Sequence, residues 1–212
     1  MNRPNVLWLM SDQHNARCTG YAGHPDVKTP ALDRIAGRGV TFANAFCNNP
    51  ICAPSRISFM TGQYCHTHRL FGNDNRWVQA PNPNSLSAVC QRHGYQTALV
   101  GKSHMVPAWD HASFEHIRYT DLIDADISDP RTNHYFAYLA ERGLADCYGE
   151  GSAKPGQRNA DDGSTPALLP YEHSIEHFTG EHALGFLHTR DESRPFFMHL
   201  SFQRPHGLMA LS

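Results

Sequence analysis

The sequence has no long apolar run and no excess of charge of one sign. The longest apolar run near its start, Val6 to Met10, is far shorter than the ~20 residues that a membrane-spanning helix needs. Lys and Arg contribute 18 residues against 20 Asp and Glu residues, so the formal net charge is only −2. Such a chain presents no broad electrostatic surface to nucleic acid or to an anionic membrane. We therefore expect neither of them as a partner.

No secretory signal and no regular cysteine framework are recognisable. A signal peptide needs a longer apolar stretch than Val6 to Met10 and a cleavage site of small residues, whereas a polar segment follows here. The six cysteines contain no C-x-x-C pair. We expect a cytoplasmic location, in which most of these thiols are reduced.

Short apolar runs alternate with amphipathic segments, and no internal repeat is visible. Val6–Met10 is predicted to be a buried parallel strand, and further strands are predicted at Thr97–Val100 and Phe196–Phe202. Helices are predicted over residues 29–37, 85–93, 133–142 and about 175–187. Residues 149–170 show no periodicity and are predicted to form a long loop. This order predicts an α/β fold, with a mostly parallel sheet sandwiched by helices.

Each predicted strand ends in a polar turn that contains histidine. These turns are residues 12–14, 102–104 and 204–206. In open α/β sheets, ligands bind beyond the carboxyl ends of the strands. We therefore expect the three turns to converge on one site.

The strongest local pattern is the segment from Asn48 to Arg56, which continues to Thr61-Gly62. Pro54 suits the first turn of a helix, which places Cys52 near unpaired backbone N–H groups at the positive end of the helix dipole. An anion is favoured there, and Arg56 adds a positive charge. On these residues alone, a half-buried structural thiol is an equally good interpretation.

Cys52-Ala53-Pro54-Ser55-Arg56 matches the C-x-P-x-R signature of the type I sulfatases. Other segments resemble that family in the same order along the chain: residues 4–13, residues 23–33, Gly101-Lys102-Ser103-His104 and residues 195–206. The resemblance covers the chain from residue 4 to about residue 207. It implies an alkaline-phosphatase-like α/β fold, of which residues 1–212 are the amino-terminal part of the catalytic domain, truncated before its carboxy-terminal part.

The resemblance also implies the hydrolysis of a small-molecule sulfate ester. In this family a separate formylglycine-generating enzyme converts the signature cysteine, here Cys52, to formylglycine. The hydrated aldehyde carries two hydroxyls on one carbon. One hydroxyl, bound to a divalent cation, attacks sulfur, and the second then loses its proton, expels sulfate and regenerates the aldehyde.

By resemblance, Asp12, Gln13 and the modified Cys52 are metal ligands. Oxygen ligands of this kind suit hard cations, so Ca²⁺ is expected rather than Mg²⁺. Gln13 stands where many members have a second Asp, which lowers the negative charge of the site by one unit.

The remaining catalytic roles also follow from the resemblance. Arg56 would hold the aldehyde diol, and Lys102 would pair with sulfate oxygens in the transition state. His104 would take the proton of the second hydroxyl, and His206 would protonate the leaving-group oxygen.

Histidine is frequent, with 15 residues. His14, His66 and His68 could contact substrate at the mouth of the site. We expect them instead to be ordinary surface histidines.

Members of the family are much longer than this chain. Beyond the segment that ends at His206, they supply a second pair of metal ligands, a further lysine for sulfate and a carboxy-terminal subdomain. We therefore expect this chain alone to be inactive or nearly so. We also expect an exposed sheet edge or apolar patch where the rest of the domain would pack.

Two alternative functions remain open. The first is a phosphonate monoester or phosphodiester hydrolase on the same scaffold, although those relatives lack the G-K-x-H turn that Lys102 and His104 supply here. The second is a non-catalytic truncated fragment, which binds a sulfated ligand without turnover. We favour the sulfatase.

Overall fold

All four strands of the main sheet run parallel. The computed structural model describes residues 3–73, 84–104, 113–121, 133–148, 165–206 and 210–211. Within them the strands are β1 (Val6–Ser11), β2 (Gln96–Gly101), β3 (His116–Tyr119), β4 (Thr165–Pro166), β5 (Phe196–Phe202) and β6 (Ala210–Leu211). The main sheet has the order β1-β5-β2-β3, and β4 pairs with β6 in a second, two-stranded sheet. The predicted loop over 149–170 lies outside the described residues up to residue 164.

Six α-helices accompany the strands in the described ranges. They are α1 (Pro30–Ala36), α2 (Cys52–Thr61), α3 (Cys65–His68), α4 (Leu86–Arg92), α5 (His134–Ala140) and α6 (Ile175–Thr189). The side chains of Ser85, Asn133 and Ser174 accept the backbone N–H three residues ahead and so begin α4, α5 and α6. The predicted helices are confirmed, and α3 is an addition to them. Among the described helices, none is both long and apolar enough to cross a membrane.

Helices cover both faces of the central strands. Val100 of β2 and Met198 of β5 pack against Phe186 of α6. Leu99, one position along β2, points to the opposite face and packs against Met60 of α2. Because neighbouring residues of a strand point to opposite faces, an apolar run without alternation needs a helix layer on each side. The predicted sandwich is confirmed.

Strand β1 is parallel, as predicted, but the prediction that it is buried is wrong. It lies at the edge of the sheet and pairs with β5. Val6, Leu7 and Leu9 are 37%, 49% and 42% exposed. Trp8 packs inward, with its ring centroid 5.3 Å from that of Phe59 in α2. The exposed apolar side chains agree with the expected open edge.

Gly101 allows two strands to approach closely at the end of β2. Its φ is +97°, and a Cβ built on it would lie 1.9 Å from the carbonyl oxygen of Ser201 in β5. The next residue, Lys102, donates its backbone N–H to the same oxygen at 2.9 Å. Only glycine fits this approach, which sets the position of Lys102.

We predict that Gly101→Ala lowers the free energy of unfolding by more than about 2 kcal/mol, because the methyl group forces β2 and β5 apart and the φ is strained. The matched control is Gly185→Ala, at an exposed position in α6 with open space around it. It should raise stability by about 0.5–1 kcal/mol through helix propensity. Urea unfolding measures both, and an unchanged midpoint for Gly101→Ala would contradict the close-approach account.

A group of histidines lies between α6, α5 and β3. Burial, together with the smaller effects of the charges of Arg118, His116 and His134, lowers the pKa of His182 from 6.5 to about 4. Burial also lowers the pKa of His116 and of His134. The His182 ring lies edge-on to Phe178, with 4.2 Å between their centroids. His182 is therefore uncharged in the folded protein at neutral pH.

We predict that acid destabilises the fold through this group. Below pH 6.5 the unfolded chain protonates His182 and the folded chain does not, so stability falls as the pH drops from 6.5 towards about 4. His182→Gln should flatten this part of the curve of melting temperature against pH. His188→Gln, at an exposed position of α6, removes a histidine outside the group. Equal acid slopes in all three proteins would contradict the prediction.

Candidate active site

The polar turns after β1, β2 and β5 meet at the carboxyl edge of the sheet. Asp12 follows β1 and Lys102 follows β2, and the distance from Lys102 Nζ to Asp12 Oδ2 is 2.6 Å. Potential ligand atoms of Asp12, Cys52 and His206 all lie within 4.8 Å of one another. The expected convergence is therefore present, with the start of α2 as its fourth component.

Asp12, Arg56 and Lys102 form a buried charge cluster. They are only 8%, 3% and 0% exposed. Arg56 Nη2 lies 3.4 Å from Asp12 Oδ2. Its Nη1 donates to the carbonyl oxygen of Lys102 at 2.9 Å and to Ser201 Oγ at 3.0 Å. Arg56 thus ties α2 to the ends of both β2 and β5.

The cluster carries two cations and one anion. Burial on its own raises the pKa of Asp12, but the charges of Arg56 and Lys102, with a smaller contribution from His206, lower it below its ordinary value. Within the described part of the chain, Lys102 Nζ and Arg56 Nη2 are buried without a hydrogen-bond partner beyond their ion pairs with Asp12. Buried N–H donors with an excess positive charge suit a bound oxyanion.

Cys52 is the first residue of α2 and faces Asp12. Its Sγ lies 3.9 Å from Asp12 Oδ1. Burial and the negative charge of Asp12 raise the pKa of the thiol, and the opposing effects of Lys102 and Arg56 are smaller. The thiol itself is therefore not the anion that the start of α2 is expected to favour. As a protonated thiol it is a weak nucleophile.

Two asparagines support the start of α2. Asn73 Oδ1 accepts the backbone N–H of Ala53 at 3.0 Å. Asn49 Oδ1 accepts the N–H of Ile51 at 2.9 Å. The sequence motifs predict no role for either of them. Asn49 could have been found as an Asx residue just before a helix, but nothing local connects Asn73 with Cys52.

Gln13 and His104 both have backbone conformations that are unusual outside glycine. Their φ angles are +56° and +50°. Gln13 is exposed, whereas His104 is buried and donates its backbone N–H to Asp121 Oδ2 at 2.9 Å. Left-handed residues at two strand ends are typical of functional sites. His104 is not in the group of closely spaced ligand atoms, so its role and that of Gln13 stay predictions.

An open pocket of about 520 Å³ lies above the cluster. This volume is in the range of small-molecule sites. Its walls include Asp12, Gln13, His14, Cys52, Ser55, Arg56, Phe59 and Asn73. His14 is half-buried. One of its ring nitrogens lies 2.9 Å from Ser11 Oγ and the other lies 2.9 Å from the Cys18 carbonyl oxygen.

Asp12, Cys52 and His206 fit one side of a metal site. They offer a carboxylate oxygen, a sulfur and a ring nitrogen within 4.8 Å of one another, and Gln13, the next residue after Asp12, lines the same pocket. These donors are fewer than the 6–8 that Ca²⁺ usually takes. A cation would also compete with Lys102 for Asp12 Oδ2.

The comparisons with known proteins agree with this arrangement. The Sulfatase family model matches residues 4–211. The chain belongs to the sulfatase family. The multifunctional alkaline phosphatase superfamily protein PehA of Trinickia caryophylli is 33% identical over 97% of this chain and 42% of its own length. The arylsulfatase of Clostridium perfringens is 29% identical over 97% of this chain and 44% of its own length.

A solved structure shows the same fold. The phosphonate monoester hydrolase of Agrobacterium radiobacter superimposes with a TM-score of 0.68 and 26% identity, over 97% of this sulfatase-family chain and 42% of that structure. The predicted family and alkaline-phosphatase-like fold are therefore confirmed. The chain spans less than half the length of these three relatives.

Two histidines that follow α2 behave differently. His66 is exposed and stacks on Tyr64, with 5.6 Å between ring centroids, as expected of a surface residue. His68 is only 5% exposed, so the expectation of a surface position is wrong for it. Its Nε2 lies 2.9 Å from Ser58 Oγ of α2, because the single turn of α3 packs against α2.

The charge cluster predicts unequal effects of two near-isosteric substitutions. Asp12→Asn leaves Lys102 and Arg56 buried without a counter-charge and should cost about 3–5 kcal/mol of stability. Lys102→Met leaves the Asp12–Arg56 pair intact and should cost much less. Urea unfolding in the presence of a metal chelator compares them. Equal losses would show that Asp12 does not balance both cations.

Proposed function

We propose that this chain carries the nucleophile side of a sulfatase active site, which hydrolyses a sulfate ester. The observation that carries the proposal is the excess positive charge of the buried Arg56 and Lys102 beside Cys52. A tetrahedral oxyanion in the pocket would accept hydrogen bonds from Arg56 Nη2 and Lys102 Nζ. Among the described residues, these two atoms are paired with Asp12 alone.

We propose that Cys52 reacts as formylglycine, made by a separate formylglycine-generating enzyme. The raised pKa of the thiol supports this, since the unmodified side chain is a weak nucleophile. Modified in this way, Cys52 would supply one hydroxyl to attack sulfur and a second from which a proton is removed to release sulfate.

The surrounding residues would hold charge and move protons. Arg56, fixed by its bonds to the Lys102 carbonyl and Ser201, would orient the modified side chain. Lys102 would balance the charge that builds on the sulfate oxygens. His206, next to Asp12 and Cys52, would protonate the leaving oxygen, and His104 would accept the proton of the second hydroxyl.

Asp12 and Gln13, with the modified Cys52, would hold the divalent cation. We propose Ca²⁺ rather than Mg²⁺, because carboxylate and amide oxygens in a flexible set suit the larger ion. When bound, the cation lowers the pKa of the attacking hydroxyl and screens the sulfate charge. His206 also lies near Asp12, but as a ligand it could not protonate the leaving oxygen, so we assign it the proton-donor role.

The second candidate is a phosphonate monoester or phosphodiester hydrolase. The resemblance to the Agrobacterium phosphonate monoester hydrolase favours it. Lys102 and His104, both buried at the end of β2, favour the sulfatase, because they complete the G-K-x-H turn. A cytoplasmic location, and the absence of nucleic acid and membrane partners, stay predictions.

Hydrolysis assays separate the candidates. The protein is co-produced with a formylglycine-generating enzyme and supplied with Ca²⁺, and conversion of Cys52 is checked by peptide mass. An aryl sulfate is compared with a phenylphosphonate ester. For the protein that the full reading frame encodes, we expect the sulfate to be hydrolysed faster, and we expect Cys52→Ala, which cannot be converted, to abolish turnover of both. Residues 1–212 alone should show little or no turnover of either ester.

The other outcomes each identify an alternative. Faster phosphonate hydrolysis assigns the chain to the second candidate. Calorimetric binding of sulfate without turnover, despite converted Cys52, identifies a non-catalytic fragment. Because the chain spans under half of its relatives, the first observation to make is whether the reading frame continues beyond the Ser212 codon into further metal ligands.

A further inference from the structure

A hydrogen-bonded network lies behind the start of α2, away from the charge cluster. Ser58 Oγ lies 2.9 Å from His68 Nε2 and donates to Asn48 Oδ1 at 3.1 Å. The thiol of Cys65 donates to the same Asn48 oxygen at 3.1 Å. His68 and Cys65 are 5% and 8% exposed. A serine, a histidine and an amide in this order resemble a nucleophile with its base.

The backbone determines the direction of these hydrogen bonds. The N–H of Leu70 donates to His68 Nδ1 at 3.2 Å, so Nδ1 carries a lone pair. In the neutral ring the proton is therefore on Nε2, which donates to Ser58 Oγ. Ser58 in turn donates its hydroxyl proton in the hydrogen bond to Asn48 Oδ1. His68 cannot accept a proton from Ser58, and the pair is not a nucleophile and base.

The network instead holds the segment that leads into Cys52. Asn48 anchors one end of that segment to α2 and α3. Asn49 Nδ2 donates to the Phe71 carbonyl at 3.2 Å, and Asn73 accepts the N–H of Ala53 at 3.0 Å. The approach to Cys52 is thus fastened to α3 and to the residues that follow it. Residues 41–48 are otherwise exposed and outside any helix or strand.

We propose that His68 is a positioning residue of the site: its Nε2-protonated ring, acting through Ser58 and Asn48, holds residues 48–51 and so sets where Cys52 lies relative to Asp12. A role of His68 in catalysis rests on the proposed function. The effect of His68 on the position of Cys52 does not rest on it, and this effect can be measured without enzymatic turnover.

The tautomer of His68 is tested first, in the unmodified wild-type chain. Nitrogen-15 NMR of the histidine rings at neutral pH should show Nε2 of His68 protonated and Nδ1 unprotonated. A protonated Nδ1 would overturn the proposal, because Nε2 would then accept from Ser58. In that case Ser58 would also react with a fluorophosphonate serine probe.

The positioning is tested by the alkylation rate of Cys52 with iodoacetamide, resolved by peptide mass spectrometry. His68→Leu removes the donor, and we expect Cys52 to react about five-fold faster, as the loss of one ordinary hydrogen bond implies. His68→Gln retains an amide donor for Ser58 and should restore a rate within about two-fold of wild type. His66→Leu, at an exposed position of the same helix, is the matched control.

Ser58→Ala interrupts the same network at a half-buried position and replaces His68→Leu if that variant does not fold. A wild-type alkylation rate in the folded network variant would overturn the proposal. Failure of the proposed function is a separate result. Absence of sulfate hydrolysis by the protein of the full reading frame, with the expected tautomer and alkylation rates, rejects the sulfatase and leaves the positioning role intact.

Discussion

The Asp12 carboxylate, held between Lys102 and Arg56, is the interaction on which the rest of the structure depends. It joins the end of β1 to the end of β2 through Lys102, and to α2 through Arg56. A buried charge is tolerated only when it is paired, so these elements are held in one arrangement. One cation remains in excess at the point where Cys52 lies. The arrangement that stabilises the carboxyl edge of the sheet therefore also prepares it for an anion.

The close approach of the β2 and β5 backbones makes this cluster possible. Ser201 contributes its carbonyl oxygen to the N–H of Lys102 and its hydroxyl to Arg56, so one residue of β5 orients both cations. That double role requires β2 and β5 to approach within the distance that Gly101 alone permits. Glycine is thus required at position 101 of the G-K-x-H turn for a structural reason, independent of the chemistry of the site. The close approach of β2 and β5 that it allows determines the position of Lys102.

Local sequence patterns predicted most of the fold. The errors arise where the burial or position of a residue depends on residues that are distant in sequence. Strands at Thr97–Val100 and Phe196–Phe202 followed from apolar runs, because helices pack on both of their faces. The same kind of run at Val6–Met10 is exposed, since burial depends on partners that no local pattern specifies. The convergence of the turns that hold Asp12, Lys102 and His206 followed from strand polarity. The place of Cys52 in the site followed only from the family resemblance. The residues missed, Asn73 among them, reach the site from segments without a recognisable motif.

The pKa of Cys52 connects the charge cluster with the network behind α2. A cysteine at a helix start beside an arginine usually favours the thiolate. Here burial and the facing Asp12 carboxylate reverse that preference, even though Lys102 and Arg56 oppose them. This reversal requires Cys52 to be held close to Asp12, at the 3.9 Å that separates Sγ from Oδ1. The hydrogen bonds of Asn48, Asn49 and Asn73 fasten the backbone on both sides of that contact. A thiol held in this position is a weak nucleophile, which agrees with the proposal that Cys52 reacts only after its conversion.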